Sequence, residues 1–243
     1  MGPMRMDQEF TTDTEPVPLP ALVWSLVVPL KPLALAKSRL AGAADDRLRP
    51  RLALAFAQDT VAAALACPAV RDVAVVTDDP AAAAGLTALG ARIVPDSPAA
   101  GLNAALAHGA EVVRAARPSA AVAALNADLP ALRTAELARA LAAASVFTRA
   151  FLTDAAGIGT TLLCARPGAE LRPAFGGPSR LAHLASGATE IMSDGLDSVR
   201  QDVDTGEDLA AALALGVGRH TAGRLAAGAP AVPRKHARQG HVP

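Results

Sequence analysis

The sequence predicts an α/β domain of three layers, αβα, built on a mostly parallel sheet. Three observations carry this. Apolar stretches of strand length alternate with helical stretches from about residue 23 to residue 215. The connections are short, and right-handed crossovers then cover both faces of the sheet. Several strands stop on carboxylates or glycines just before a helix, which is how open α/β sheets present ligand-binding groups at their carboxyl edge.

Residues 1–21 are polar, acidic and proline-bearing, and read as a disordered extension. Residues 23–28 form a first strand, closed by Pro29. Residues 46–66 have the apolar spacing of a long amphipathic helix, with Leu48, Leu52, Phe56 and Val61 on or near one face. Strands follow at 72–77, 91–94 and 120–125, separated by helices at 80–89 and 102–116. A helix at 134–144 leads to strands at 149–153 and 159–165. A short helix at 179–186, a strand at 189–192 and a helix at 205–215 complete the pattern. No linker or repeat interrupts residues 22–221, which are expected to form one domain. Residues 222–243, rich in Gly, Pro, Arg and His, read as a flexible tail.

Composition narrows the function. About half the residues are apolar, but there are five Phe, one Trp and no Tyr, so the core rests on Ala, Val and Leu. Formal net charge is zero and no basic-aromatic stripe occurs, which argues against nucleic acid as a partner. Cys67 and Cys164 lie far apart without metal-ligand spacing, and read as small buried side chains in a reducing compartment. No secretory signal or membrane-length apolar run is evident, so the expected location is the cytoplasm, with no membrane partner.

Five stretches carry candidate chemistry. The first follows strand one: PLKPLALAKSRL holds Lys31, Lys37 and Arg39 with no acidic residue before Asp45. Cations over the ligand crevice suit a triphosphate, whose charge must be neutralised before a nucleophile approaches. There is no GxGxxG and no GxxxxGK[ST] at this turn. The second, TDDP, offers Asp78 or Asp79 as a helix cap, with Thr77 and Asp78 at the sheet edge. In the third, Gly101 and Asn103 open a helix. Glycine permits close backbone approach, and Asn103 either presents a donor and an acceptor to a base edge or caps the helix.

The fourth stretch is VAALNADLPAL. Asp128 ends its strand and either shapes the turn or ligates a metal. Far downstream, QDVDTGED places Asp202 and Asp204 on one side of an extended segment, while Thr205 and Asp208 have capping-box spacing. Asp128 and Asp204, from separate loops, suit Mg²⁺, which prefers a few carboxylates beside phosphate oxygens and water. Asp202 is a further candidate ligand. The fifth combines GIGTTLL with FGGPSR. Amides exposed at a helix start after Pro178, with the hydroxyls of Thr160, Thr161 and Ser179, would cradle a second phosphate. The five histidines show no ligand spacing and no GxSxG elbow occurs, which leaves zinc and serine hydrolases unsupported.

Together VPLKPLALAKSRL, VVTDD, GLNAAL, ALNADLPAL, GIGTTLL, FGGPSRLAHL and QDVDTGEDL resemble the phosphoenolpyruvate / 2-phospho-L-lactate guanylyltransferase family of coenzyme F-420 biosynthesis. The resemblance spans about residues 23–217. It implies a nucleotidyltransferase-like (Rossmann-like) fold, a Mg²⁺ requirement, GTP as donor and a small phosphorylated three-carbon acid as acceptor. The product would pass to a downstream transferase. It implies that Thr161, Gly176 and Ser179 hold phosphoenolpyruvate, with Gly177 an additional glycine beside Gly176. The expected catalytic residues are Lys37 and Asp128; Lys31, Lys37, Arg39, Gly101 and Asn103 are expected at the nucleotide; Asp128 and Asp204 at the metal. A phosphate nucleophile is already ionised, which accounts for the lack of a poised histidine. Phosphoenolpyruvate and 2-phospho-L-lactate are not separated by any residue here, and a homodimer is neither required nor excluded. The rivals are another nucleotidyltransferase, such as a molybdenum cofactor guanylyltransferase, and a non-catalytic nucleotide-binding module. The first usually carries a glycine-rich loop after strand one. The second needs no metal pair.

Overall fold

A computed structural model describes residues 22–35 and 47–228. One seven-stranded sheet runs through it. Its strands are β1 (Trp24–Pro29), β2 (Val70–Val76), β3 (Arg92–Val94), β4 (Ala121–Leu125), β5 (Arg149–Thr153), β6 (Thr160–Ala165) and β7 (Thr189–Glu190), in the order β3-β2-β1-β4-β6-β5-β7. β1, β2, β3 and β4 pair in parallel, as do β5 and β7. β6 is the exception: it runs antiparallel between β4 and β5. The mostly parallel α/β sheet is therefore as expected, with one reversed strand inserted at its centre.

The helices are α1 (Leu48–Leu65), α2 (Pro80–Thr87), α3 (Leu102–Ala116), α4 (Thr134–Ala144), α5 (Ser179–Ala185), α6 (Asp197–Arg200), α7 (Gly206–Leu215) and α8 (Arg219–Gly228). Strand periodicity sorts them into layers. Leu26 and Val28 of β1 face a cluster with Ala57 and Val61 of α1, Leu86 of α2 and Leu137 and Leu141 of α4. Val27, between them, faces Leu106, Ala110 and Val113 of α3. Gly109 lets α3 approach: a Cβ there would lie 2.5 Å from Val27 Cγ1 and 2.8 Å from Val76 Cγ2. Cys67 and Cys164 are buried thiols, and burial pushes both pKa values up.

Three differences from the sequence reading matter. α1 does not bury a single face. Val61 packs on the sheet, whereas Leu52 and Phe56 join Val203, Leu209 and Ala212 in a separate cluster. The second face is occupied because the helix α8 crosses the expected boundary at residue 221 and packs on α1, where flexible tail was expected. Asp59 of α1 anchors it, accepting from His220 N–H (2.9 Å) and Thr221 N–H (2.8 Å). The short helix α6 and a single 3₁₀ turn at Leu33–Leu35 are additional. No helix among the described residues is long and apolar enough to cross a membrane.

Candidate active site

The carboxyl ends of the strands open onto a cleft of about 880 Å³, within the range of small-molecule sites. One wall is acidic. Asp128 follows β4, and Asp202 and Asp204 come from the segment after α6; all three line the cleft. The two segments are joined by Val203 N–H donating to the Asp128 carbonyl at 3.1 Å. Val203 is buried in the cluster against α1, so alternation turns its two neighbours toward the cleft. Asn126 Nδ2 stands 3.5 Å from Asp202 Oδ2.

Asp128 is held from behind by a residue the sequence reading did not single out. Thr60 lies in the middle of α1 and is fully buried. Its Oγ1 accepts from Leu129 N–H at 3.0 Å, which fixes the turn just after Asp128, while its single proton is shared between the carbonyls of Phe56 (2.9 Å), in α1 itself, and Ala127 (3.1 Å), just before Asp128. The available signal was the polar triplet Gln58-Asp59-Thr60 inside the otherwise apolar run ALAFAQDTVAAAL. Asp204 is fixed from the other direction. Thr205 caps α7 in a capping box with Asp208, and Asp208 Oδ2 also accepts from Asp204 N–H at 3.1 Å. Capping by Thr205 and exposure of Asp204 to the cleft thus coexist.

The opposite wall is a glycine loop. Phe175, Gly176, Gly177, Pro178 and Ser179 line the cleft, with Thr160 and Gly159 of the β5–β6 hairpin beneath them. Gly176 has φ +101° and Gly177 φ +53°, and a Cβ on either would meet open space. Both glycines line the cleft, and their amides donate to no acceptor among the described residues. The amides at the start of α5 do not have that freedom. Ser179 N–H donates to the Gly177 carbonyl and Arg180 N–H to the Ile158 carbonyl. The amides at the helix start are therefore not available as the expected cradle, whereas those of the two glycines have no internal acceptor among the described residues. Asp154 shapes the hairpin by accepting from Ile158 N–H (2.9 Å) and Gly159 N–H (2.8 Å).

The remaining candidates divide. Lys31 is exposed and lines the cleft, whereas Lys37 and Arg39 lie outside the described residues. Thr161 is buried and does not line the cleft, and its hydroxyl has no partner among the described residues. Thr160 lines the cleft one residue earlier, where β6 carries an irregularity opposite Leu152 and Thr153. Gly101 is the N-cap of α3, with φ +99°, and the next residue, Leu102, reaches the cleft. Asn103 is neither cap nor free amide: Nδ2 donates to the Phe175 carbonyl (3.0 Å) and Oδ1 accepts from Phe175 N–H (2.8 Å). Asp79, not Asp78, caps α2 and also accepts from Leu33 N–H at 2.9 Å. Asp78 accepts from Asp96 N–H.

Acidic residues and a glycine loop lining one cleft of about 880 Å³ fit transfer between two phosphorylated ligands. The family model for guanylyl transferases of the CofC-like type matches residues 24–240. The chain belongs to the CofC-like guanylyl transferase family. Curated members are close to it. A phosphoenolpyruvate guanylyltransferase of Streptomyces coelicolor is 73% identical over 199 residues, covering 82% of this chain and 94% of that protein. One from Streptomyces avermitilis is 72% identical over 203 residues, covering 84% and 94%. Among solved structures, a nucleotidyl transferase from Methanothermobacter thermautotroptrophicus superposes with a TM-score of 0.53 at 21% identity, covering 79% of this chain and 97% of its own. That likeness establishes the nucleotidyltransferase-like fold.

Proposed function

We propose that this enzyme transfers GMP from GTP to phosphoenolpyruvate, giving enolpyruvyl-diphospho-guanosine and pyrophosphate, in the cytoplasm and on the route to coenzyme F-420. The observation that carries the reading is the pairing of the two walls in a chain 73% identical to a phosphoenolpyruvate guanylyltransferase. A phosphate oxygen of the acceptor attacks the α-phosphorus of GTP in line, forming one P–O bond as the bond to the β-phosphate oxygen breaks. The leaving electron pair departs with pyrophosphate. The attacking oxygen is already ionised near neutral pH, so no general base is needed, and catalysis rests on position and charge.

Lys31 meets the triphosphate from the cleft edge, and Lys37 and Arg39, further along the same basic stretch of sequence, are proposed as additional phosphate ligands. Gly176, Gly177 and Ser179 hold the acceptor, and Thr161 lies beneath with its unsatisfied hydroxyl. Asp128 and Asp204, hard oxygen donors lining one cleft, would hold Mg²⁺ together with phosphate oxygens and water, since among the described residues no three His, Cys, Asp or Glu side chains come together to hold a metal by themselves. Bound there, Mg²⁺ would neutralise phosphate charge as it moves toward the leaving group. The product, an activated diphosphate ester, is a substrate for a downstream transferase.

The test is direct. The protein is incubated with Mg²⁺, GTP and either phosphoenolpyruvate or 2-phospho-L-lactate, and pyrophosphate release and guanylylated product are measured. Phosphoenolpyruvate is expected to be the better acceptor. Turnover only with 2-phospho-L-lactate would correct the acceptor; turnover with neither, while another acceptor reacts, would overturn the assignment.

A further inference from the structure

The glycine loop has no regular structure to stiffen it. Two consecutive glycines at positive φ carry high backbone entropy, so a fixed acceptor geometry needs outside support. That support comes from two side chains that grip the residues immediately before the glycines. Asn103, in the first turn of α3, pairs with both main-chain groups of Phe175 from 72 residues away. His183 of α5 accepts at Nε2 from Ala174 N–H at 3.0 Å. An Nε2 that accepts carries no proton, so the neutral ring is protonated at Nδ1 and donates to Thr160 Oγ1, 2.9 Å away. His183 is fully buried, with the Phe175 ring edge-on at 5.1 Å. Main chain at 174 and 175 is thereby fixed from α3 on one side and α5 on the other.

We propose that Asn103 is a positioning residue for the phosphorylated acid acceptor, acting through its bidentate grip on Phe175 rather than through contact with the nucleobase. The inference rests on the acceptor reading of the glycine loop. It reverses the role that the sequence alone gives this residue. One donor and one acceptor of the Asn103 amide, the pair that would read a base edge, are both committed to a single peptide residue. Its location explains why an asparagine serves. Only a planar amide offers a donor and an acceptor side by side to the N–H and C=O of one residue. An aspartate there keeps the acceptor for Phe175 N–H and loses the donor.

The experiment uses the full-length enzyme and the variants Asn103→Ala and Asn103→Asp. Steady-state kinetics are measured by varying GTP and phosphoenolpyruvate separately, with amide hydrogen exchange of the 174–177 segment followed in the absence of substrates. Losing two loop hydrogen bonds should raise the KM for phosphoenolpyruvate roughly tenfold in the alanine variant and less in the aspartate variant. The KM for GTP should stay within about twofold, and exchange at Phe175 should accelerate in the alanine variant, where its N–H loses its acceptor, and stay protected in the aspartate variant, which keeps it. A rise in the GTP KM equal to or larger than that for the acceptor overturns the proposal, because Asn103 then serves the nucleotide. Unchanged exchange at Phe175 in the alanine variant overturns it as well, because the grip then holds nothing. A wild-type enzyme inactive with both substrates defeats the acceptor reading instead, and the exchange measurement still decides whether Asn103 fixes the loop.

Discussion

The acidic wall and the glycine wall of the cleft are made firm in opposite ways. Asp128 and Asp204 project from turns whose main chain is tied into regular elements: Thr60 inside α1 behind Asp128, the capping box of α7 behind Asp204, and Val203 bonded between them. Gly176 and Gly177 have no such backing and depend on Asn103 and His183 to hold the residues before them. The difference follows from what each wall offers a ligand. The acidic wall presents side chains, so its main chain is free to bond inward. The glycine wall presents main-chain amides, so its hydrogen-bonding groups must stay unspent and stiffness comes from neighbours.

The largest way to test this contrast is to remove charge from the acidic wall without moving it. Asp128→Asn keeps size and shape while removing the carboxylate. Turnover should fall by about 10²–10³-fold, the scale of losing one preorganised electrostatic contact. The melting temperature should stay close to that of the wild type, since the turn is held through main chain by Thr60 and Val203. Product formation and a circular dichroism melt give the two readings. Wild-type turnover would remove Asp128 from the chemistry.

The next test strains the glycine wall. At φ +101° an alanine is disfavoured by about 1–3 kcal/mol, although no neighbour obstructs its Cβ. Gly176→Ala should therefore raise the acceptor KM while leaving that for GTP in place. Gly177, at φ +53°, lies where other residues are found at a smaller cost of about 1 kcal/mol. The two variants differ only in which peptide is strained, so comparing their acceptor KM values settles which glycine governs the approach. A larger effect at residue 177 would reverse the assignment.

A third test returns to the acidic wall and removes its backing. Thr60→Val preserves volume and leaves the buried groups of Ala127 and Leu129 without their bridge, at a cost of about 1–3 kcal/mol. Both melting temperature and kcat should fall, and Thr60→Ser should restore most of each. If valine lowers stability but leaves kcat at the wild-type level, Asp128 is positioned by Val203 alone.

These anchors also mark the limit of what the sequence discloses. Strands and helices were readable because their periodicity is local; Asp128, Asp204 and Ser179 stood out because each lies near the end of a strand or the start of a helix, and Gly176 was singled out by the family resemblance. The reversal of β6 was not readable, since pairing between β4, β6 and β5 is decided by tertiary packing. α8 was missed because RHTAGRLAAG has a tail-like composition, and the residue that caps it, Asp59, is more than 160 positions away. Thr60 is invisible for the same reason: a helical threonine shows nothing of the loop it bonds. Asn103 was visible but ambiguous, because an amide suited to a base edge is equally suited to a peptide.

A fourth test concerns His183, the second support of the glycine wall. Burial first, and the nearby Arg149 guanidinium second, lower its pKa from the usual 6.5 to about 4. Arg149 is itself fixed on the carbonyls of Ser186, Leu171 and Arg172, so that charge does not move away. Between those two pH values the unfolded chain binds the proton more readily than the native protein, so stability rises with pH. The contribution is complete above pH 6.5, and is lost as the pH falls toward 4. Protonation would also place a proton on Nε2, where Ala174 N–H now donates. His183→Gln retains an acceptor for Ala174 and a donor for Thr160 without titrating. Urea unfolding at pH 7, 5.5 and 4.5 should show the wild type losing more stability than this variant across that range, while carboxylates common to both cancel in the difference. Parallel losses would mean that the ring takes up its proton without disturbing the loop, and would leave Asn103 as the support on which the glycine wall depends.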